Sequence, residues 1–160
     1  QEKERTNKMR NELREKELFI AKFEDNVNIE EYNKEYFDWL QLKEIRLGLK
    51  ERLDVSVYAK KEYTWQQMHQ IRIGLSKKLD VSIYAKPEYN QFQMREIRYG
   101  LSIGVDISKY SNKELYASQM REIRLGLIYK VDISKYATKI EMPFQEMEQI
   151  RKSLMKEKIR

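Results

Sequence analysis

The chain has 160 residues, 41% hydrophobic and 36% charged, with five glycines and two prolines, a mix that suits a soluble, helix-rich protein and argues against an all-β fold built on turns. With no cysteine, disulfides, Cys-based zinc sites and a thiol nucleophile are excluded, and the absence is compatible with a reducing cytoplasm, the expected location. No apolar run approaches the ~20 residues that cross a bilayer, and the net charge of +6 is a moderate bias rather than a polybasic tail.

Residues 1–27 hold seven basic and seven acidic residues, so the basic excess lies further along. The opening stretch is densely charged with both signs, unlike a signal peptide. A fragment of something longer is one reading of a chain that begins without Met. Residues 3–24 read as a charged helix with Met9, Leu13, Ile20 and Phe23 on roughly one stripe, a cap for the adjoining segment or a link to a preceding region.

From residue 28 the text repeats. Asp54, Asp80, Asp106 and Asp132 stand 26 residues apart, with Asn28 one period earlier. Around them recur LDVSVYAKKEY, LDVSIYAKPEY, VDISKYSNKEL and VDISKYATKIE, followed by QMHQIRIGL, QMREIRYGL and QMREIRLGL. The copies run 28–53, 54–79, 80–105, 106–131 and 132–160, the last with one extra residue near Met142-Pro143. A fixed period of this length marks a stacked repeat array.

Each copy reads as a short and a long helix. Asn28, Asp54, Asp80, Asp106 and Asp132 are strong N-caps for the short one, with Glu31 completing a capping box in the first copy. The short helix is expected to last about one and a half turns, as from Val55 to Ala59, and Pro87 marks the loop that ends it. Asp38, Thr64 and Asn90 are expected to cap the long helices; Tyr116 holds that position in the fourth copy. Met68, Ile71 and Leu75 give the long helix its apolar face, repeated by Met94, Ile97 and Leu101 and by Met120, Ile123 and Leu127. Gly104 reads as a left-handed end residue followed by Val105, whereas Arg52, Lys78 and Lys130 in the same place are expected to complement the helix dipole. Phe144 to about Ile159 forms the final helix, where Lys152 and Ser153 suit an exposed end. The fold class is therefore all-α: a right-handed αα-solenoid-like array of five short-helix/long-helix repeats behind an N-terminal capping helix.

Repetition turns positions into columns. Arg46, Arg72, Arg98, Arg124 and Arg151 read either as guanidiniums gripping phosphates or acidic groups, or as structural arginines paired to a capping Asp or a helix-end carbonyl, the favoured reading. Gly48, Gly74, Gly100 and Gly126 lie inside the long helices, where Gly costs roughly 1 kcal/mol against Ala; close approach of the adjacent helix backbone is the expected compensation, with approach of a ligand the alternative. Gln41, Gln67, Gln93 and Gln119 flank that edge and are expected to bond open backbone groups. Tyr32, Tyr58, Tyr84, Tyr110 and Tyr136 read as the buried face of the short helix, against a base-stacking platform. Leu47, Ile73, Tyr99 and Leu125 face away from the Met68 side, either covered by a second layer or forming a contact stripe. His69, the lone His, stands where other copies carry Lys43, Arg95 and Arg121, and has no metal-site company.

The unit D-[VI]-S-x-Y-[AS]-x-x-E-[YL] followed by Q-M-x-[EQ]-I-R-x-G-L resembles tandem helical repeats of uncharacterised Firmicutes proteins, often encoded beside mobile-element genes. The resemblance covers residues 28–158 and implies an array of helical hairpins, with no activity attached. The expected function is a non-enzymatic protein–protein interaction scaffold, with no cofactor, no metal, no membrane partner and no small-molecule substrate. The alternative is nucleic-acid binding through the Arg column and basic excess. Against it, Glu44, Glu96 and Glu122 sit two residues before the Arg in three copies, mixing the charge that a phosphate-binding face would segregate.

Overall fold

The computed structural model describes residues 1–21, 29–33 and 37–160. All secondary structure among them is helical: α1 (Glu2–Ala21), α2 (Glu30–Asn33), α3 (Trp39–Lys50), α4 (Trp65–Ser76), α5 (Gln91–Ile103), α6 (Ala117–Ile128) and α7 (Phe144–Ile159). Asn28 and Phe23 lie outside the described residues, as does the Ile20 side chain. The chain forms two compact units, Gln1–Arg72 and Ile73–Arg160.

In the first unit α1 packs on α3. Met9 and Leu13 stay 67% and 58% exposed, because α1 covers α3 only loosely and leaves an open pocket lined by Phe37, Trp39 and Leu40. The core is Leu42 and Ile45 of α3, Tyr58, and Met68 and Ile71 of α4, all without exposed surface. In the second unit α5 packs on α6 and α6 on α7. Met94, Ile97, Met120, Ile123 and Met147 occupy the equivalent buried positions, with Tyr84, Tyr110 and Tyr136 sealed beside them.

The short elements of copies two to five are tighter than the sequence reading. Each is a single 3₁₀ turn: Val55–Val57, Val81–Ile83, Ile107–Lys109 and Ile133–Lys135. The Asp before each turn accepts from the backbone N–H of the Ser two residues on, at 3.1 Å for Asp54 and Ser56, and from that serine's hydroxyl. A bond of that reach draws the backbone into i→i+3 geometry, as in Tyr58 N–H donating to the Val55 carbonyl at 3.0 Å. The β-branched residues following each Asp give an α-helix little to propagate. In the first copy α2 is one α turn.

The long helices begin as expected. Asp38 and Asn90 cap α3 and α5 through their side chains, and Gln41 and Gln93 complete both capping boxes. Thr64 does the same for α4, its Oγ accepting from Gln67 N–H at 3.2 Å. Tyr116 offers no side-chain cap, so Gln119 alone holds the start of α6 by accepting from Tyr116 N–H at 2.8 Å. Just before each long helix stands a buried apolar residue, Phe37, Tyr63, Tyr89, Leu115 or Met142. It and the buried Leu42, Met68, Met94, Met120 or Met147 hold the two positions that a hydrophobic staple joins.

The helix ends correct the sequence reading. Arg52, Lys78 and Lys130 adopt φ of 57°, 56° and 54°, the same left-handed turn as Gly104 at 75°. In each, the next residue donates back to the column glycine: Leu53 to Gly48, Leu79 to Gly74, Val105 to Gly100 and Val131 to Gly126, all at 2.9–3.1 Å. With the companion bonds to Leu49, Leu75, Leu101 and Leu127, these are four complete Schellman closures. Three of them hold a strained cation where Gly would relax the backbone.

Candidate functional site

Three arginines of the column meet glutamates, and the capping aspartates are already occupied by their serines. Arg72 Nε donates to Glu44 Oε2 at 2.8 Å and its Nη1 to Glu51. Arg124 places Nε and Nη2 on Glu96 Oε2 at 3.0 and 2.9 Å. Arg151 Nε reaches Glu122 Oε2 at 2.8 Å. In each case the arginine of one copy bonds a glutamate of the copy before, and Glu44, Glu96 and Glu122 are almost fully buried. Arg46 and Arg98 are buried as well. At Glu44 burial pushes the carboxyl upward, but bonds from His69 and Arg72 outweigh it and hold the group below its usual range. His69 Nδ1 lies 3.2 Å from Glu44 Oε1, so the one histidine belongs to this cluster.

The same glutamates anchor the tyrosines through their backbone. Tyr58, Tyr110 and Tyr136 donate to the carbonyls of Glu44, Glu96 and Glu122 at 2.7, 2.9 and 3.0 Å. The column glycines make this reach possible. A Cβ on Gly48, Gly100 or Gly126 would overlap the incoming hydroxyl of Tyr58, Tyr110 or Tyr136, and one on Gly74 that of Tyr84. The body that fills the space is thus a tyrosine and its β-branched neighbour rather than a helix backbone. Burial pushes all four phenols up, Tyr136 to about 12.

The glutamines join copies as well as starting helices. Gln41 Nε2 donates to the Tyr63 carbonyl at 2.7 Å, Gln93 to Lys113 and Leu115, and Gln119 to Ile140 and Met142. Each amide therefore caps its own helix with oxygen and holds the next copy's loop with nitrogen. Gln67 is buried in the corresponding place.

Of the stripe Leu47, Ile73, Tyr99 and Leu125, three are half-buried and Tyr99 is exposed. The Tyr99 ring lies beneath the guanidiniums of Arg98 and Arg124, at 4.7 and 5.4 Å. The stripe is therefore neither sealed nor an open apolar band.

A groove with a volume of about 360 Å³, not foreseen from the sequence, lies in the second unit. It crosses the N-terminal halves of α5, α6 and α7. Phe92 and Phe144 stand on it 50% and 38% exposed. Arg95 and Arg121 rise between them, and Glu148 of α7 lies at the same register, bonded to Lys152 at 2.7 Å. The signal was the variability of outward positions, but which of them converge depends on how neighbouring helices pack.

Among the described residues no three His, Asp or Glu side chains are placed to hold a metal ion, and no helix is long and apolar enough to cross a membrane. Comparison of the chain with protein-family models, with curated proteins and with solved structures gives no match.

Proposed function

We propose that the chain is a non-enzymatic helical-repeat binding module, a protein–protein interaction scaffold whose five copies continue as one right-handed αα-solenoid in the cytoplasm. The observation that carries this reading is the division of labour among its residues. Recurring Arg, Gln, Tyr and Gly residues are engaged in joining copies, while Phe92, Phe144, Arg95 and Arg121 line a groove. A phosphate-binding ladder would need the guanidiniums of Arg72, Arg124 and Arg151, and buried carboxylates already hold them.

Selection from a displayed random-peptide library tests the proposal. Sequences enriched on the folded chain should lose binding to Phe92→Ser and Phe144→Ser variants and keep it on Ile140→Ser, an exposed control. No enrichment above an unrelated helical protein would sink the scaffold reading. Saturable binding of single-stranded DNA or RNA that persists at physiological salt would put the nucleic-acid alternative in its place.

A further inference from the structure

The groove across α5, α6 and α7 has a form that the repeat alone would not produce. At the first turn of the long helix the other copies carry bulk: Trp39 and Leu40, Trp65, Phe92, and Phe144. The fourth copy carries Ala117 and Ser118 there, so the middle helix is cut back between the two half-exposed phenylalanines. The result is a notch with aromatic walls and a floor of small residues.

Its electrostatics are equally specific. The glutamates beneath the notch, Glu96 and Glu122, are committed to Arg124 and Arg151, and Glu148 to Lys152. Lys152 above all, with smaller contributions from Arg151 and Arg121, holds the Glu148 carboxyl below its usual range, so a carboxylate already rests at the α7 end. Arg95 lies over the Phe92 ring, 5.5 Å from its centroid, with its side chain 42% exposed. Its Nε is buried, makes no hydrogen bond and is ion-paired with the Glu96 carboxylate at 3.7 Å. The ring and this ion pair hold the guanidinium in place, and the exposed remainder of the side chain can meet a carboxylate.

Resting on the scaffold reading above, we propose that this groove receives an acidic segment of a protein partner, with one aromatic or branched aliphatic residue between two carboxylates. The carboxylates meet Arg95 and Arg121, and the apolar residue enters the notch between Phe92 and Phe144. Arg95 and Arg121 hold the same position on neighbouring helices, which pack about 8–10 Å apart. An extended peptide advances roughly 3.3 Å per residue, so the two acids belong three residues apart.

Fluorescence anisotropy on the full chain tests this, with labelled peptides carrying Glu-Ser-Phe-Glu in an uncharged Gly-Ser background. The Glu-Ser-Phe-Glu peptide should bind saturably, and replacing both Glu by Gln or the Phe by Gly should weaken it at least tenfold. Arg95→Gln and Arg121→Gln should each weaken it several-fold, and Ser118→Trp, which fills the notch, should abolish it while the melting temperature shows the chain still folded. Should Ser118→Trp unfold the protein, the two arginine variants carry the test. Equal binding of the Gln peptide, no binding of any, or tighter binding of an oligo-dT of matching length would each overturn the assignment. Display-selected peptides that need Phe92 but contain no acid would overturn the acidic assignment and leave the scaffold reading standing.

Discussion

A single pair of positions controls each junction: a glycine in one copy and a tyrosine ten residues later. At Gly100 an added methyl would overlap the Tyr110 hydroxyl and approach Ile107 Cγ2 to 2.7 Å. Gly100→Ala is therefore expected to destabilise by about 1–3 kcal/mol through overpacking, despite the better helix propensity of Ala. Tyr110→Phe alone should lose about 1 kcal/mol with its bond to Glu96. The double variant should lose less than the sum, because removing the hydroxyl opens part of the space; additive values from urea denaturation would contradict the fit described. The phenols also predict alkaline behaviour. Their folded values are raised, so the stabilisation they give is complete below the usual 10.0 and is lost as pH rises through the raised values. Phenolate absorbance should show a fraction of the eleven tyrosines resisting titration until helical circular dichroism collapses; smooth titration of all of them in the folded state would contradict their burial.

The arginines show where sequence reading stopped at this scale. Glu44, Glu96 and Glu122 were visible two residues before an arginine, yet their bonds run to the arginine of the following copy, 28 or 29 residues on. Helix-wheel geometry places both residue types on an edge without saying which copy's edge they meet. The aspartates drew the pairing by their number, although Asp-x-Ser recurs in four copies and already supplies a local partner.

At the level of elements, the sequence marks starts better than ends. Caps announce themselves by residue type, and Asp38, Thr64 and Asn90 do cap their helices. The left-handed residues at Arg52, Lys78 and Lys130 carry no such mark, since cations there look like dipole partners. Their geometry is dictated by the following Leu or Val, which must fold back toward the column glycine. Lys78→Gly is expected to stabilise by about 0.5–1 kcal/mol, a rise in melting temperature of roughly 2–4 °C per kcal/mol for a chain of this size. Gly104→Ala should act oppositely by about 1 kcal/mol, because its surroundings are open and only the backbone objects. A fall in melting temperature for Lys78→Gly would show that its charge outweighs its strain. The short elements stop at one 3₁₀ turn for a related reason: an Asp reaching only to the second residue tightens the turn before an α-helix can form.

For the molecule as a whole, periodicity made the helical composition and copy boundaries legible, while the groove emerges only when three copies are laid side by side. In a repeat protein each copy depends chiefly on its neighbours. A chain shortened to end at Val131 removes α7 and with it the Arg151 partner of Glu122. It is expected to unfold cooperatively at a lower temperature. Glu122→Gln should cost about 1–3 kcal/mol in the full chain, where the carboxylate is buried against a guanidinium, and less than about 0.5 kcal/mol in the shortened one, where it faces water. Equal effects in both would show that Glu122 acts within its own copy.

The tyrosine socket also bears on polymer growth. Every junction is head-to-tail, a glycine face receiving the next tyrosine, and such an interface has no inherent length limit. The fifth copy carries Ser153 at the glycine position, and the same Cβ that would block Tyr58, Tyr110 or Tyr136 in their own sockets is already present there. One hydroxymethyl group thus stands at this end of α7 where the other copies leave the socket open.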